Sequence, residues 1–173
     1  SPLGCIGDAF TITVLVNPKL PIISINDQLN ISEGSTATFV AELSNTYIYD
    51  VTFKVNTSNG TAEAPGDYIA ISGTTFTILA NETTVNIPVT INNDNIYETT
   101  VETYQVVLSD VLISTINIPI TLTRLIGNGS IVNTTTSPVV SIAASIPNAS
   151  EPSTDGEFTL TLSDPISIAT TVN

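Results

Sequence analysis

The sequence has no histidine, one cysteine and only three basic residues, Lys19, Lys54 and Arg124, set against 16 acidic ones. Each shortage closes off a class of function. Without imidazole, no Ser-His-Asp triad and no histidine-bound zinc can form. Three scattered cations cannot neutralise a run of phosphates, so nucleic acid is not an expected partner. Attraction to an anionic membrane surface fails for the same reason. No apolar run approaches the roughly 20 residues that span a bilayer as a helix, so direct membrane insertion is not expected either. The lone Cys5 has no base beside it in Pro2-Leu3-Gly4-Cys5-Ile6-Gly7. It reads as half of a disulfide whose partner precedes Ser1, or else as a reactive thiol, and one cysteine fixes no redox compartment. Nothing here assembles an enzyme.

What is present points to strands. Val, Ile, Leu and Thr dominate, hydrophobic residues reach 42% and aromatics only 6%, a balance that favours β-structure. A net charge of −13 repels itself unless cations relieve it. At 173 residues the chain can hold one large domain or one to two smaller ones.

From residue 20 to about 126, apolar and polar residues alternate in segment after segment. Ile23 and Ile25 open the series. Phe39, Ala41 and Leu43 share one face of the next strand, and Val51, Phe53 and Val55 share one face of the third. A loop rich in Gly, Asn and Pro spans residues 58–66, a short strand starts at Tyr68, and another runs through Phe76 and Ile78. Val85, Ile87, Val89 and Ile91 follow, then Tyr104, Val106 and Leu108, and finally Ile116, Ile118, Ile120 and Leu122. Pro88 and Pro119 lie mid-run and predict edge positions or bulges, because proline has no N–H for a ladder. The pattern predicts an all-β fold, an antiparallel seven-stranded β-sandwich of immunoglobulin-like type.

Residues 127–137 have linker composition, Gly-Asn-Gly-Ser-Ile-Val-Asn-Thr-Thr-Thr-Ser, and after them the pattern restarts. Pro138-Val-Val-Ser-Ile142 repeats Pro21-Ile-Ile-Ser-Ile25 at an offset of 117. Ser150-Glu151 repeats Ser32-Glu33 at 118, and Phe158-Thr-Leu-Thr-Leu-Ser163 repeats Phe39-Val-Ala-Glu-Leu-Ser44 at 119. Each one-residue drift falls in a turn, where insertions are tolerated. The organisation this predicts is a tandem array. Residues 1–19 are the last strand of an upstream domain of immunoglobulin-like or PKD-like type, and 20–126 a complete sandwich. Residues 127–137 are a linker, and 138–173 the first strands of a second sandwich. The flanking pieces have open strand edges, to be completed in cis or by a neighbouring molecule, and the chain reads as part of something longer.

Residues 92–104, Asn-Asn-Asp-Asn-Ile-Tyr-Glu-Thr-Thr-Val-Glu-Thr-Tyr, gather Asp94, Glu98 and Glu102 among amide and hydroxyl oxygens with no Lys or Arg nearby. Such a loop suits a hard divalent cation, calcium above all, which takes roughly 6–8 oxygen ligands in irregular geometry. An ordinary acidic turn between strands is the alternative. Seven Asn-x-Ser/Thr sequons, at Asn30, Asn56, Asn59, Asn81, Asn128, Asn133 and Asn148, are assigned no function, since several arise by chance in so Asn- and Thr-rich a chain.

Several short motifs then fall in a telling order: Ser32-Glu33-Gly34, Asn59-Gly60-Thr61-Ala62, Asp67-Tyr68, and Asp94 with Glu98 and Glu102-Thr-Tyr-Gln-Val-Val-Leu-Ser109. Together they resemble the Calx-beta domain, the module of sodium–calcium exchangers and of many large bacterial surface proteins. The resemblance covers residues 20–126 in full and 138–173 as a truncated second copy. It implies calcium held by Glu33, Asp67, Asp94, Glu98 and Glu102. The sequence departs from the exchanger pattern at Asn93 and Asn95, which replace acidic neighbours of Asp94. It also has one extra residue between Glu98 and Glu102, and its exit strand lacks a terminal acidic cluster. These departures imply fewer or weaker ions. In the second copy only Glu151 carries over. Topology points the same way: with strands alternating up and down, the loops after strands one, three and five share a pole. Those loops carry Glu33, Asp67 and residues 94–102, and the seventh strand must end at that pole too.

Three functions remain in view. One is a structural or adhesive repeat segment of a large extracellular surface protein or filament, stabilised by calcium. Its partners would be neighbouring domains or subunits, or a protein or glycan surface ligand. The second is a calcium-responsive regulatory module. The third is an accessory module of a secreted hydrolase. Tandem sandwiches and an acidic, Thr- and Asn-rich composition favour the first.

Overall fold

The computed structural model describes residues 19–114 and 118–171, so the strand read at residues 9–17 lies outside the described residues. Among those described there are twelve strands and no helix. Four make one sheet: β1 (Ile22–Ile25), β3 (Thr36–Leu43), β6 (Thr84–Thr90) and β9 (Thr121–Arg124), in the order β6-β3-β1-β9. Five more make the facing sheet: β2 (Gln28–Ser32), β4 (Val51–Asn59), β5 (Thr74–Ile78), β7 (Glu102–Ile113) and β10 (Ile126–Val132), in the order β2-β10-β7-β4-β5. The short β8 (Ile118–Pro119) pairs with the end of β7. The remaining two, β11 (Val140–Ile146) and β12 (Glu157–Leu162), form a separate two-stranded sheet.

The period-2 pattern does what it predicts through β7, whereas the closing run read through Ile116, Ile118, Ile120 and Leu122 is split into β8 and β9, with Ile116 outside the described residues. Ala37, Phe39, Ala41 and Leu43 of β3 point inward, as do Val51, Phe53 and Val55 of β4, Ile87 and Val89 of β6, and Tyr104, Val106 and Leu108 of β7. All are buried in one core between the sheets. Each large apolar side chain removed from water in this way stabilises the fold by about 1.5–3 kcal/mol. Pro88 sits on β6, an edge strand, and Pro119 on β8, off the main run of its sheet, so neither costs a central ladder bond.

The sandwich has more strands than the seven expected, because its first and last strands both change sheets and the short β8 adds one more. β1 pairs with β3 and β9, whereas β2, two residues later, pairs with β10. The bend is held by side chains at the gap. Asn26 accepts from the Val40 N–H at 2.7 Å, and Asp27 accepts from the Asn128 N–H at 2.6 Å while pairing with Arg124. β9 and β10 make the same switch at Leu125, whose carbonyl accepts from the Leu108 N–H at 2.8 Å. The β1–β9 and β2–β10 pairs are parallel in an otherwise antiparallel fold.

Two further differences concern segments that composition describes poorly. The stretch read as a linker from residue 127 is strand as far as Val132, paired with β7 from Ile126↔Val107 to Ile131↔Glu102. Gly129 faces Tyr104 in that register, and a Cβ there would collide with the Tyr104 ring. The glycine reflects close packing, not flexibility. The strand expected from Tyr68 is a single bridge to Ile91, and β4 and β5 are joined by a long loop over residues 60–73.

β11 and β12 reproduce β1 and β3. Val140 pairs with Leu162 as Ile23 pairs with Leu43, at the offsets of 117 and 119 seen in the sequence. The Ser44 Oγ accepts from the Ile22 N–H at 3.0 Å, and the Ser163 Oγ accepts from the Val139 N–H at 2.9 Å. Each serine N–H returns a bond to the same partner's carbonyl. The apolar residues Ile142, Phe158 and Leu160 of this hairpin are exposed, whereas their counterparts in the sandwich are core.

Candidate metal centre

One pole of the sandwich collects the ends of β2, β4, β6 and β10 and the starts of β3 and β7. Three connections cross it, and each carries acidic residues. After β2, the turn at Glu33–Ser35 needs a left-handed residue and has it in Gly34, at φ 72°. The Glu33 N–H donates to the Val132 carbonyl at 3.2 Å, and the Gly34 N–H donates to the Asn92 carbonyl, also at 3.2 Å. The first acidic turn is therefore tied both to the exit strand and to the acidic loop.

The loop after β4 is clamped against the start of β7. The Ala62 N–H donates to the Thr103 carbonyl at 2.9 Å, and the Thr103 N–H donates to the Thr61 Oγ1 at 2.8 Å. A side chain at Gly60 would meet the Thr103 carbonyl at 2.5 Å, which explains the glycine. Asn59 accepts from the Tyr68 hydroxyl at 2.6 Å, and Tyr68 stacks on Tyr104 with ring centroids 4.6 Å apart. This aromatic floor sets Asp67. Its carboxylate accepts from the Glu63 N–H at 2.5 Å, and its carbonyl accepts from the Asn92 N–H at 2.9 Å.

After β6, the acidic loop turns on its own side chains. Asn92 donates to the Pro65 and Gly66 carbonyls at 2.7 and 2.8 Å, the Asn93 side-chain Oδ1 accepts from the Asn95 N–H at 3.0 Å, and Asp94 accepts from the Ile96 N–H at 2.8 Å. Asn95 takes the left-handed conformation, φ 60°, that asparagine tolerates. Glu98 follows, and Glu102 begins β7.

The five candidate carboxylates share one electrostatic site. Burial raises the Glu98 carboxyl above its usual range, and Asp67, Asp94 and Glu33 push it further. Burial also raises Glu102, to about 7, with Asp67, Glu98 and Glu33 adding repulsion. Glu33, Asp67, Glu98 and Glu102 are half-buried and Asp94 is exposed. The Glu102 Oε2 is buried without a hydrogen-bond partner. Both ion pairs among the described residues, Lys54–Asp110 and Arg124–Asp27, lie elsewhere. A cluster made only of oxygen donors, with a buried oxygen left over and no side-chain cation at hand, fits a hard divalent cation. Among the described residues, no three acidic side chains are placed close enough together to hold a metal ion as they stand.

A family model for the Calx-beta domain matches residues 21–124, more than half of the chain. The chain belongs to the Calx-beta family. The match ends at Arg124, before β10, the strand that closes this Calx-beta sandwich against β2. Solved structures agree on the fold. The crystal structure of the Calx CBD2 domain is 14% identical, with a TM-score of 0.54 over 65% of this chain and 86% of that one. That of CBD12 from CALX1.2 is 11% identical, with a TM-score of 0.58 over 80% and 70%. At such identities the likeness concerns fold alone. No curated protein sequence matches the chain.

Sequence reasoning missed the residues that this Calx-beta domain places beside its acids from beyond β10. Thr134 donates to the Glu33 Oε2 through its N–H at 3.1 Å and its hydroxyl at 3.3 Å. The Asn133 amide donates to the Ile96 carbonyl at 2.8 Å. Each pair is far apart along the chain, and nothing in Asn-Thr-Thr-Thr marks it. Only the prediction that the last strand exits at the acidic pole pointed this way.

Proposed function

We propose that this Calx-beta sandwich is a calcium-stabilised structural module of a large extracellular surface protein, one unit of a tandem array and not an enzyme. The observation that carries the reading is that three acidic loops share the pole where the chain leaves the domain, and that Asp67, Asp94 and Glu33 all repel the Glu98 carboxyl there. Glu33, Asp67, Asp94, Glu98 and Glu102 would hold the ion, with main-chain carbonyls and water completing its shell. Bound calcium supplies positive charge where these carboxylates repel one another. The chain supplies the rest: the three loops are already tied to one another through Asn92, Gly34 and Asp67. The exit is tied to them as well. Thr134 holds Glu33, Asn133 holds the Ile96 carbonyl, and Pro165 and Ser167 of the second copy bond to Tyr97. Ordering the acidic loop therefore orders the junction, which suits a rod that carries a binding surface away from a cell.

Thermal melts in calcium and in chelator test this reading. Extracellular sites of this kind bind at about 10⁻⁴–10⁻³ M, and free calcium at ~100 times the dissociation constant adds about 2.7 kcal/mol. The melt should shift upward in calcium, and Asp94→Ala should remove the shift. Identical melts in calcium and chelator would contradict the site.

A further inference from the structure

The junction between the two copies contains a contact that the internal repeat duplicates. The Tyr97 N–H donates to the Pro165 carbonyl at 3.0 Å, and the Tyr97 carbonyl accepts from the Ser167 N–H at 3.1 Å, making a parallel bridge between Tyr97 and Ile166. Pro165–Ser167 lies just past β12. At the offset of 119 it corresponds to Thr46–Ile48, just past β3. The two loops leave their strands alike. Ser44 and Ser163 make the same pair of bonds back to β1 and to the residue before β11, and each hydroxyl then bonds the next side chain, Asn45 at 3.1 Å and Asp164 at 2.9 Å. The surface that receives Tyr97 on the second copy thus has a counterpart on the first, at the pole opposite the acidic cluster.

That counterpart is open among the described residues. Among the described residues the Ile48 N–H donates to nothing, and the Thr46 carbonyl accepts only from the Asn45 amide at 2.9 Å. Ile48 is 54% exposed and Tyr49 36%, and Leu79 lies exposed in the neighbouring loop, which bonds to Tyr47 through Asn81. Among the described residues Thr46–Ile48 therefore presents a main-chain donor without a partner and, two residues before it, a carbonyl with room for a second hydrogen bond, edged by apolar side chains. We infer that this loop is a docking surface for the Ile96–Glu98 loop of a second copy of the chain, engaged through the same two main-chain hydrogen bonds that Tyr97 makes to Pro165 and Ser167.

Recognition through the main chain tolerates the side-chain differences between the two receiving loops. Because the donor and receiving surfaces lie at opposite poles, the contact is head-to-tail and builds open chains, not closed dimers. Within one chain Tyr97 is already held by the second copy, whose effective concentration exceeds that of a free partner. Docking in trans needs Tyr97 released. The inference rests on the repeat and on backbone geometry, not on the metal.

Sedimentation velocity on variants of the 173-residue chain, under reducing conditions, tests it. A donor carrying Ser167→Pro and Ile48→Pro has lost the N–H that holds Tyr97 and has no receiving N–H of its own. Mixed with wild-type chain, it should form a one-to-one complex. An acceptor carrying Ile48→Pro should form none. A second donor lacks residues 164–173 in place of the Ser167→Pro change, so misfolding of the first cannot mask the result. No complex with either folded donor, or a complex that survives Ile48→Pro in the acceptor, would overturn the inference.

Discussion

Glu102 concentrates the tension at the acidic pole. Burial and the carboxylates of Asp67, Glu98 and Glu33 lift it to about 7 from an ordinary 4.5, so the folded chain keeps a proton that the unfolded chain releases. The folded state then binds more protons than the unfolded one between these values, and stability falls as pH rises through that window. Without calcium, the melting temperature should therefore decline between pH 5 and pH 7.5. Glu102→Gln should flatten the decline and raise the melting temperature of the calcium-free protein at pH 7.5, while weakening its response to calcium. Melts in chelator across that range check both. Asp27 behaves in the opposite sense: Arg124 and the Asn128 N–H hold its carboxyl below the usual range, at the bend between β1 and β2.

At the scale of elements, the alternating strands were legible because a buried face repeats every second residue and nothing else does. Phe39, wholly buried between the sheets, illustrates the case. Phe39→Ala should cost about 3–5 kcal/mol. The acidic loops were legible too, since the up-and-down order of strands decides which turns share a pole. β10 was not. Its first four residues, Ile-Gly-Asn-Gly, show no apolar alternation, and Gly129 is required there by the Tyr104 ring packed against it. Gly129→Ala should destabilise the domain by about 1–3 kcal/mol, a cost of overpacking and not of lost flexibility. Urea denaturation measures both, with a lowered midpoint expected for each. The sheet switches at Asn26-Asp27 and Leu125 were equally hidden, because they depend on bonds to Val40, Asn128 and Leu108 that sequence spacing does not reveal.

At the scale of the whole molecule, two copies of one pattern meet at the acidic pole, and the contacts of Glu33 with Thr134 and of Tyr97 with Ser167 link the site to the junction. Small-angle scattering on the full chain should show a narrower range of dimensions with calcium than with chelator. Any such stiffening depends, however, on the ion itself. Calorimetric titration of the full chain with calcium near pH 6.5, in two buffers of different ionisation enthalpy, measures that most directly. Saturable binding in the range of about 10⁻⁴–10⁻³ M is expected, with protons released as Glu102 gives up its own, and Asp67→Asn together with Glu98→Gln should abolish both. A titration without saturable heat, or binding that the double variant leaves unchanged, would contradict the account.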